Sequence, residues 1–286
     1  MTSAGFETAS KALVYAAVTL AVGTVGAGLV LRAGLPQRPW TQRPMWRRLD
    51  GVYLAAGALL GLALLARLLA HTVAAFGIAD GLHPRVLRGV ALQSRWGFGW
   101  CQQVGAAVLV MLAGLWRWRA PRPLSRLAAA LAAVVACIAL PRTGHAVSVP
   151  LGWALQGLHV MAAGLWSGTL LAVLAITRRP LGRLRTSLLR AFAGLAVSSV
   201  SVLVATGATA GRLYVGSLRH LASDEYGRVL LLKLGLVASM GLVGGVNWNR
   251  LHRGDGSPSI RAVWVEAGLA LAVLVVTSWL TETAHP

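Results

Sequence analysis

Apolar residues fall into eight long runs, roughly 11–31, 51–71, 96–116, 124–140, 151–177, 191–211, 226–248 and 262–281, with polar residues gathered in the stretches between them. Each run is near the ~20 residues a helix needs to cross the hydrocarbon core of a bilayer. The fourth is the shortest. All eleven prolines lie between or beyond the runs, where a missing amide donor costs least. Ten of the eleven tryptophans lie in connections or near the ends of runs, as an interfacial aromatic belt requires, and Trp166 is the exception. The pattern predicts an all-α polytopic membrane protein of about eight transmembrane helices. It reads as a single transmembrane domain over residues 1–286, with no soluble module and no stretch of Gly, Ser or Pro long enough to be a linker.

Composition agrees. Hydrophobic residues make up 56% of the chain and mean hydropathy is +0.67, more apolar surface than a soluble globule can hide. The net charge of +19 first suggests a nucleic-acid partner, but its distribution argues for topology instead. Arginines concentrate in alternate connections: Arg32 to Arg48, Arg117 to Arg126, Arg178 to Arg190 and Arg250 to Arg261. The opposite side carries fewer cations and most of the acids. This is the positive-inside pattern. It places the arginine-rich connections in the cytoplasm and both termini outside, and it excludes a nucleic-acid role. The first run lacks a basic leader and is followed by arginines that would anchor it, so it reads as a retained helix rather than a cleavable signal.

Helices three and seven begin alike, with "RWGFGWCQQVG" from Arg95 and "EYGRVLLLKLG" from Glu225; an aromatic-glycine pair and a glycine eight residues later match. The spacing suggests a parallel duplication of four helices plus four, with halves 1–142 and 143–286, as in some transporters. Small residues crowd helix five ("AAGLWSG") and helix six ("ATGATAG"), where they allow close backbone approach.

The polar residues at membrane depth carry the candidate chemistry. His83, His145, His220 and His285 fall in outer segments, His71 closes helix two at its outer end, and His252 is cytoplasmic. His159 lies about eight residues into helix five, ~12 Å deep at 1.5 Å per residue. A polar ring there is costly, and it is either a metal ligand on a transport path or a hydrogen-bonded structural histidine. Gln156, His159, Ala163 and Trp166 form one helical stripe, expected to face the bundle interior. Cys101 and Cys137 sit just inside the outer ends of helices three and four. Two cysteines are too few for a disulfide scaffold; as a pair they can be packing residues, a disulfide or metal ligands. Imidazole and thiolate are ligands for copper and zinc. Arg67 and Lys233 lie toward the outer side and Glu266 toward the inner; Arg67 is expected to snorkel to the interface, and Lys233 to need a partner.

Several of these residues together resemble the copper resistance protein D (CopD) family of bacterial integral membrane proteins. They are Gly144-His145-Ala146, His159, Trp166-Ser167-Gly168, Arg190 and Phe192, Thr206-Gly207, "YGRVLLLK" from Tyr226 to Lys233, and Asn247 to Arg250. The likeness is carried by the second half and extends to the first mainly through topology. Ser167 stands where a glycine or small apolar residue is more usual. The resemblance implies copper handling at the inner membrane, with uptake from the periplasm alongside a small periplasmic copper carrier of the CopC type. It carries His145 and His159 over as metal-binding positions. Cys101, Cys137, Met161 or His71 are then candidates to complete the coordination of a copper ion. The expectation is a copper transport protein rather than an enzyme, with no ATP-binding or phosphorylation motif to drive it. The alternatives are a non-transporting copper receptor or assembly factor, and a haem-binding electron carrier using His71 and His159.

Overall fold

The computed structural model describes residues 3–35, 39–144, 151–177, 182–214, 224–253 and 260–283. His145, His220 and His285 lie outside them, and so does the side chain of His252. The chain is α1 (Ser3–Gly34), α2 (Pro39–Gly81), α3 (Pro84–Gln93), α4 (Arg95–Arg119) and α5 (Pro123–Ala139) with a 3-10 turn (Leu140–Thr143). Then follow α6 (Gly152–Ala163), a π turn (Gly164–Gly168), α7 (Thr169–Ile176), α8 (Gly182–Tyr214), α9 (Glu225–Arg253) and α10 (Ile260–Leu280). Among the described residues eight helical stretches are long and apolar enough to cross a membrane, α6, the π turn and α7 forming one of them. Each coincides with one of the eight runs, the short fourth included. The protein is all-α and multi-pass.

The two ends of the chain meet at one face of the bundle: Lys11 Nζ lies 2.9 Å from Glu282 Oε1. That end is the terminal face here, and the other, where Arg32, Arg47, Arg119 and Arg261 lie exposed, is the arginine-rich face.

α1 is the axis. It packs against α2, α5, α7, α8, α10 and the π turn, and its buried side is made of Ala17, Val18, Ala21 and Ala27. The closest approach is at Gly23 and Gly168. A Cβ on either would overlap the other strand of backbone, Gly168 carbonyl in one case and Thr19 carbonyl in the other. With no hydrophobic drive between helices in lipid, such side-chain-free contacts are what hold a bundle together. The small-residue run of helix five is thus a packing surface for α1, and the π turn falls at the crossing point. One large core lies among α1, α2, α4 and α5, and a second among α1, α7, α8 and α10.

Two local features were absent from the hydrophobic pattern. α2 carries on to Gly81, with Gly77 at φ 79°, a left-handed conformation that breaks the helix there. α3 follows at once, capped by His83, whose Nδ1 accepts from the Arg85 amide at 3.3 Å, with Pro84 in its first turn. Ser94 Oγ then caps α4 by accepting from the Gly97 amide at 2.8 Å.

Candidate functional site

His159 stands on α6 two turns from the terminal face and is half-buried. Its Nδ1 is 2.8 Å from Thr206 Oγ1 on α8. The Thr206 hydroxyl has one proton, and it is directed at the Val202 carbonyl one turn back, 2.7 Å away. With the hydroxyl proton there, Thr206 accepts from Nδ1–H and the Nε2 lone pair is free. The arrangement is the one expected behind a metal-binding histidine, in which the second ring nitrogen is held by a partner that sets tautomer and orientation. Gly207 faces the ring: a Cβ there would stand 3.7 Å from it, in ordinary van der Waals contact. Lys233 of α9 is near enough for its charge to act on the imidazole. No carboxylate is paired with Lys233 among the described residues.

The stripe on α6 faces inward as expected, with each member turned to a different neighbour. Gln156 reaches Tyr15 on α1, His159 reaches α8, and Trp166, buried in the π turn, borders a cavity between α7, α8, α9 and α10. Trp166 escapes the interfacial belt for that reason.

The remaining sequence candidates have other partners. Cys101 Sγ lies 3.4 Å from the Ala91 carbonyl on α3. Cys137 is buried among alanines in the first core, and both thiols are free, so no disulfide joins them. Met161, two residues from His159 and so on another face of α6, packs against that same core. His71 Nδ1 is 3.2 Å from Glu7 Oε1, and its ring stacks on Trp96 at a 4.0 Å centroid distance. Among the described residues no three His, Cys, Asp or Glu side chains converge in a group that could hold a metal ion. The flanks of the Gly144-His145-Ala146 segment are firmly placed. Gln103 Nε2 donates to the Leu140 carbonyl at 2.8 Å and to Thr143 Oγ1 at 3.1 Å. Arg142 covers the Trp153 ring at 4.4 Å, and Gly157 lets α6 lie against the Cys137 backbone. The ends of α5 and α6 that bracket His145 are therefore neighbours.

A network at the terminal face escaped the sequence. Arg67 does not snorkel: it is 5% exposed, with Nη2 2.6 Å from Glu282 Oε1 and Nη1 3.1 Å from the Glu7 carbonyl. Glu282 also meets Lys11. Guanidinium, ammonium, imidazole and two carboxylates tie α1, α2 and α10 together. Near the arginine-rich face, Arg117 Nε bonds Asp50 with both side chains buried, and Tyr53 donates to the Ala129 carbonyl at 2.7 Å. Trp46 carries Arg126 on its ring at 4.1 Å. The signal for these pairs was the scarcity of acids: with only eight Asp and Glu, each one near a run is a candidate partner.

Comparison with known proteins agrees with the arrangement. The family description "Copper resistance protein D-like, N-terminal domain" matches residues 1–154, and "Copper resistance protein D" matches residues 186–280. The chain is 27% identical over 294 residues to the copper transport protein CutJ of Bacillus subtilis (strain 168), covering 97% of this chain and 52% of the relative. It thus spans about half the length of the curated relative it matches. No solved structure matches it. The first of these matches alone takes in more than half of the chain, and the second contains Thr206-Gly207 and Lys233 near His159; the chain belongs to the copper resistance protein D family.

Proposed function

We propose that the protein carries copper across the inner membrane, from the periplasm toward the cytoplasm, with His159 as the ligand at membrane depth. The observation that carries the reading is the His159–Thr206 hydrogen bond, which presents a free Nε2 lone pair inside the membrane on a chain of the copper resistance protein D family. The relative named for copper transport supports the choice of cargo. An imidazole held by its second nitrogen suits copper in either oxidation state.

His145 is the proposed capture ligand at the terminal face, taken to be periplasmic, from which the ion passes to His159. Cys101, Cys137, Met161 and His71 could complete the shell only by leaving their present partners. A periplasmic copper carrier of the CopC type is the proposed donor. Lys233 sets a condition on the site: an ammonium near the imidazole opposes cation binding. A bound copper ion therefore arrives with an anionic ligand, or the ammonium swings away as it binds.

Copper flux into proteoliposomes tests the reading. The native protein should load vesicles with copper, and His159→Ala should not while still eluting as a folded species from size exclusion. Binding without flux in the native protein would leave a copper receptor or assembly factor in place of a carrier. Orientation is tested separately with Leu181→Cys, which a membrane-impermeant thiol reagent added from the periplasm should fail to label.

A further inference from the structure

The cavity bordered by Trp166 lies below His159, between α7, α8, α9 and α10, and is a half-open cleft of about 280 Å³. Its wall is apolar apart from three residues that matter here: Ser201 of α8, Asn247 of α9 and Glu266 of α10. Glu266 is 5% exposed and Asn247 6%. The Asn247 amide neighbours the carboxylate and can donate to it, yet neither Nδ2 nor Oδ1 completes a hydrogen bond of normal geometry. Gly241, Gly244 and Gly245 line the same face of α9. A Cβ on Gly244 would meet Glu266 Oε1 at 3.1 Å, so the glycine leaves the carboxyl its room.

Among the described residues no cation is paired with the carboxyl. α7 carries no charged residue. On α8, Arg190 and Arg212 are exposed; on α9, Arg228, Arg250 and Arg253 are exposed, and Lys233 acts on His159 instead. On α10, Arg261 is exposed, and Glu282 just past its end belongs to the terminal-face network. On α1, which packs against α10, Glu7 and Lys11 join that network and Arg32 lies over Trp46. The side chains of Arg183, Arg185 and His252 are outside the described residues. An ionised carboxylate buried at membrane depth without a counter-ion is costly. The site is complete only with something positive in it. Its oxygen donors lack the sulfur and imidazole that copper prefers, which points to a proton rather than the cargo as the resting occupant. Glu266 is six residues from the start of α10, ~9 Å along the helix from the arginine-rich face, close enough to exchange with water there.

We propose that Glu266, with Asn247 beside it, is a proton-exchange site. The carboxyl O–H bond breaks as a monovalent cation enters the cavity, the proton passes to water at the arginine-rich face, and the carboxylate balances the incoming charge. When the cation leaves, the carboxyl takes a proton back. The identity of that cation as copper(I) rests on the proposed function; the protonated carboxyl does not.

Infrared difference spectroscopy of the whole protein in lipid nanodiscs tests this. A protonated-carboxyl band should be present at neutral pH, vanish in Glu266→Gln and move in Glu266→Asp, the second variant serving if the first fails to fold. Silver(I), a redox-inert stand-in for copper(I), should bleach the band and release a proton to the medium, while sodium should leave it unchanged. Absence of any band that depends on position 266 would overturn the proposal. Bleaching by sodium would overturn it too and make the cavity a sodium site, and indifference to silver would remove the exchange step. If the band is missing while His159-dependent copper flux persists, this inference falls and the copper reading stands.

Discussion

Asp50 and Arg117 join α2 to α4 through a buried ion pair, and Arg67 meets two carboxylates between α1, α2 and α10. Around α8 and α9 the polar groups at membrane depth are arranged differently. Among the described residues Lys233 has no carboxylate and Glu266 no cation, and Asn247 completes no hydrogen bond of normal geometry. Packing differs most at α9: 11% of its most apolar stretch is buried and 22% of that of α8, against 39% for α2 and for α4 and 72% for α1, while the α6–α7 span that carries His159 is 61% buried. Ionisable groups are tolerated in a bilayer when they are paired, and persist unpaired mainly where something must bind or move. On the proposed function, the well-packed region is scaffold, and the regions around His159 and Lys233 and, deeper, around Glu266 are where cargo chemistry would take place.

Breaking a pair on the scaffold side should have the largest effect on stability. Arg117→Met leaves the Asp50 carboxylate buried and alone, and should cost about 3–5 kcal/mol in reversible unfolding in detergent. Adding Asp50→Leu to it should recover much of the loss. A cost below ~1 kcal/mol for the single change would erase the distinction between the two regions.

On the cleft side stability should barely respond while binding should. Thr206→Val removes the acceptor that fixes the His159 tautomer, and copper affinity measured by competition with a chelator should fall about 10–100-fold. An unchanged affinity would mean that the hydrogen bond is structural only. The smallest effect is expected at Lys233. Lys233→Met should leave the unfolding midpoint where it was or raise it, and should tighten copper binding several-fold by removing a nearby positive charge. Weaker binding in that variant would show that the ammonium holds part of the cargo, such as an anionic ligand of the metal.

How far the sequence could be read follows from what it encodes locally. Helix length and apolarity are local, so all eight spans were legible, down to the short run at 124–140. The depth of His159 and its inward stripe were legible for the same reason, since spacing along one helix sets both. Partners between helices are not local. Nothing near Arg67 in sequence points to Glu282, 215 residues away, and snorkelling was the natural expectation for a lone arginine near a helix end. Thr206 was visible as part of a matching motif but not as the atom that orients His159. α3 was missed because ten residues with a charged face give no transmembrane signal; His83-Pro84 followed by Ser94 was the capping pattern that could have revealed it. The equal depths of Cys101 and Cys137 suggested a joint site, but depth fixes position along a helix and not the face. Cys101 turns to α3 and Cys137 to the first core.

The central claim is that His159 binds the transported metal through Nε2. Copper K-edge X-ray absorption on the copper-loaded protein in bilayers tests it most directly. The native protein should show the multiple scattering of imidazole in the copper shell. His159→Ala, folded and inserted, should lose one imidazole contribution together with the bound copper it retains at depth. An unchanged spectrum and stoichiometry in His159→Ala would contradict the account and leave the His159–Thr206 bond as a strut between α6 and α8.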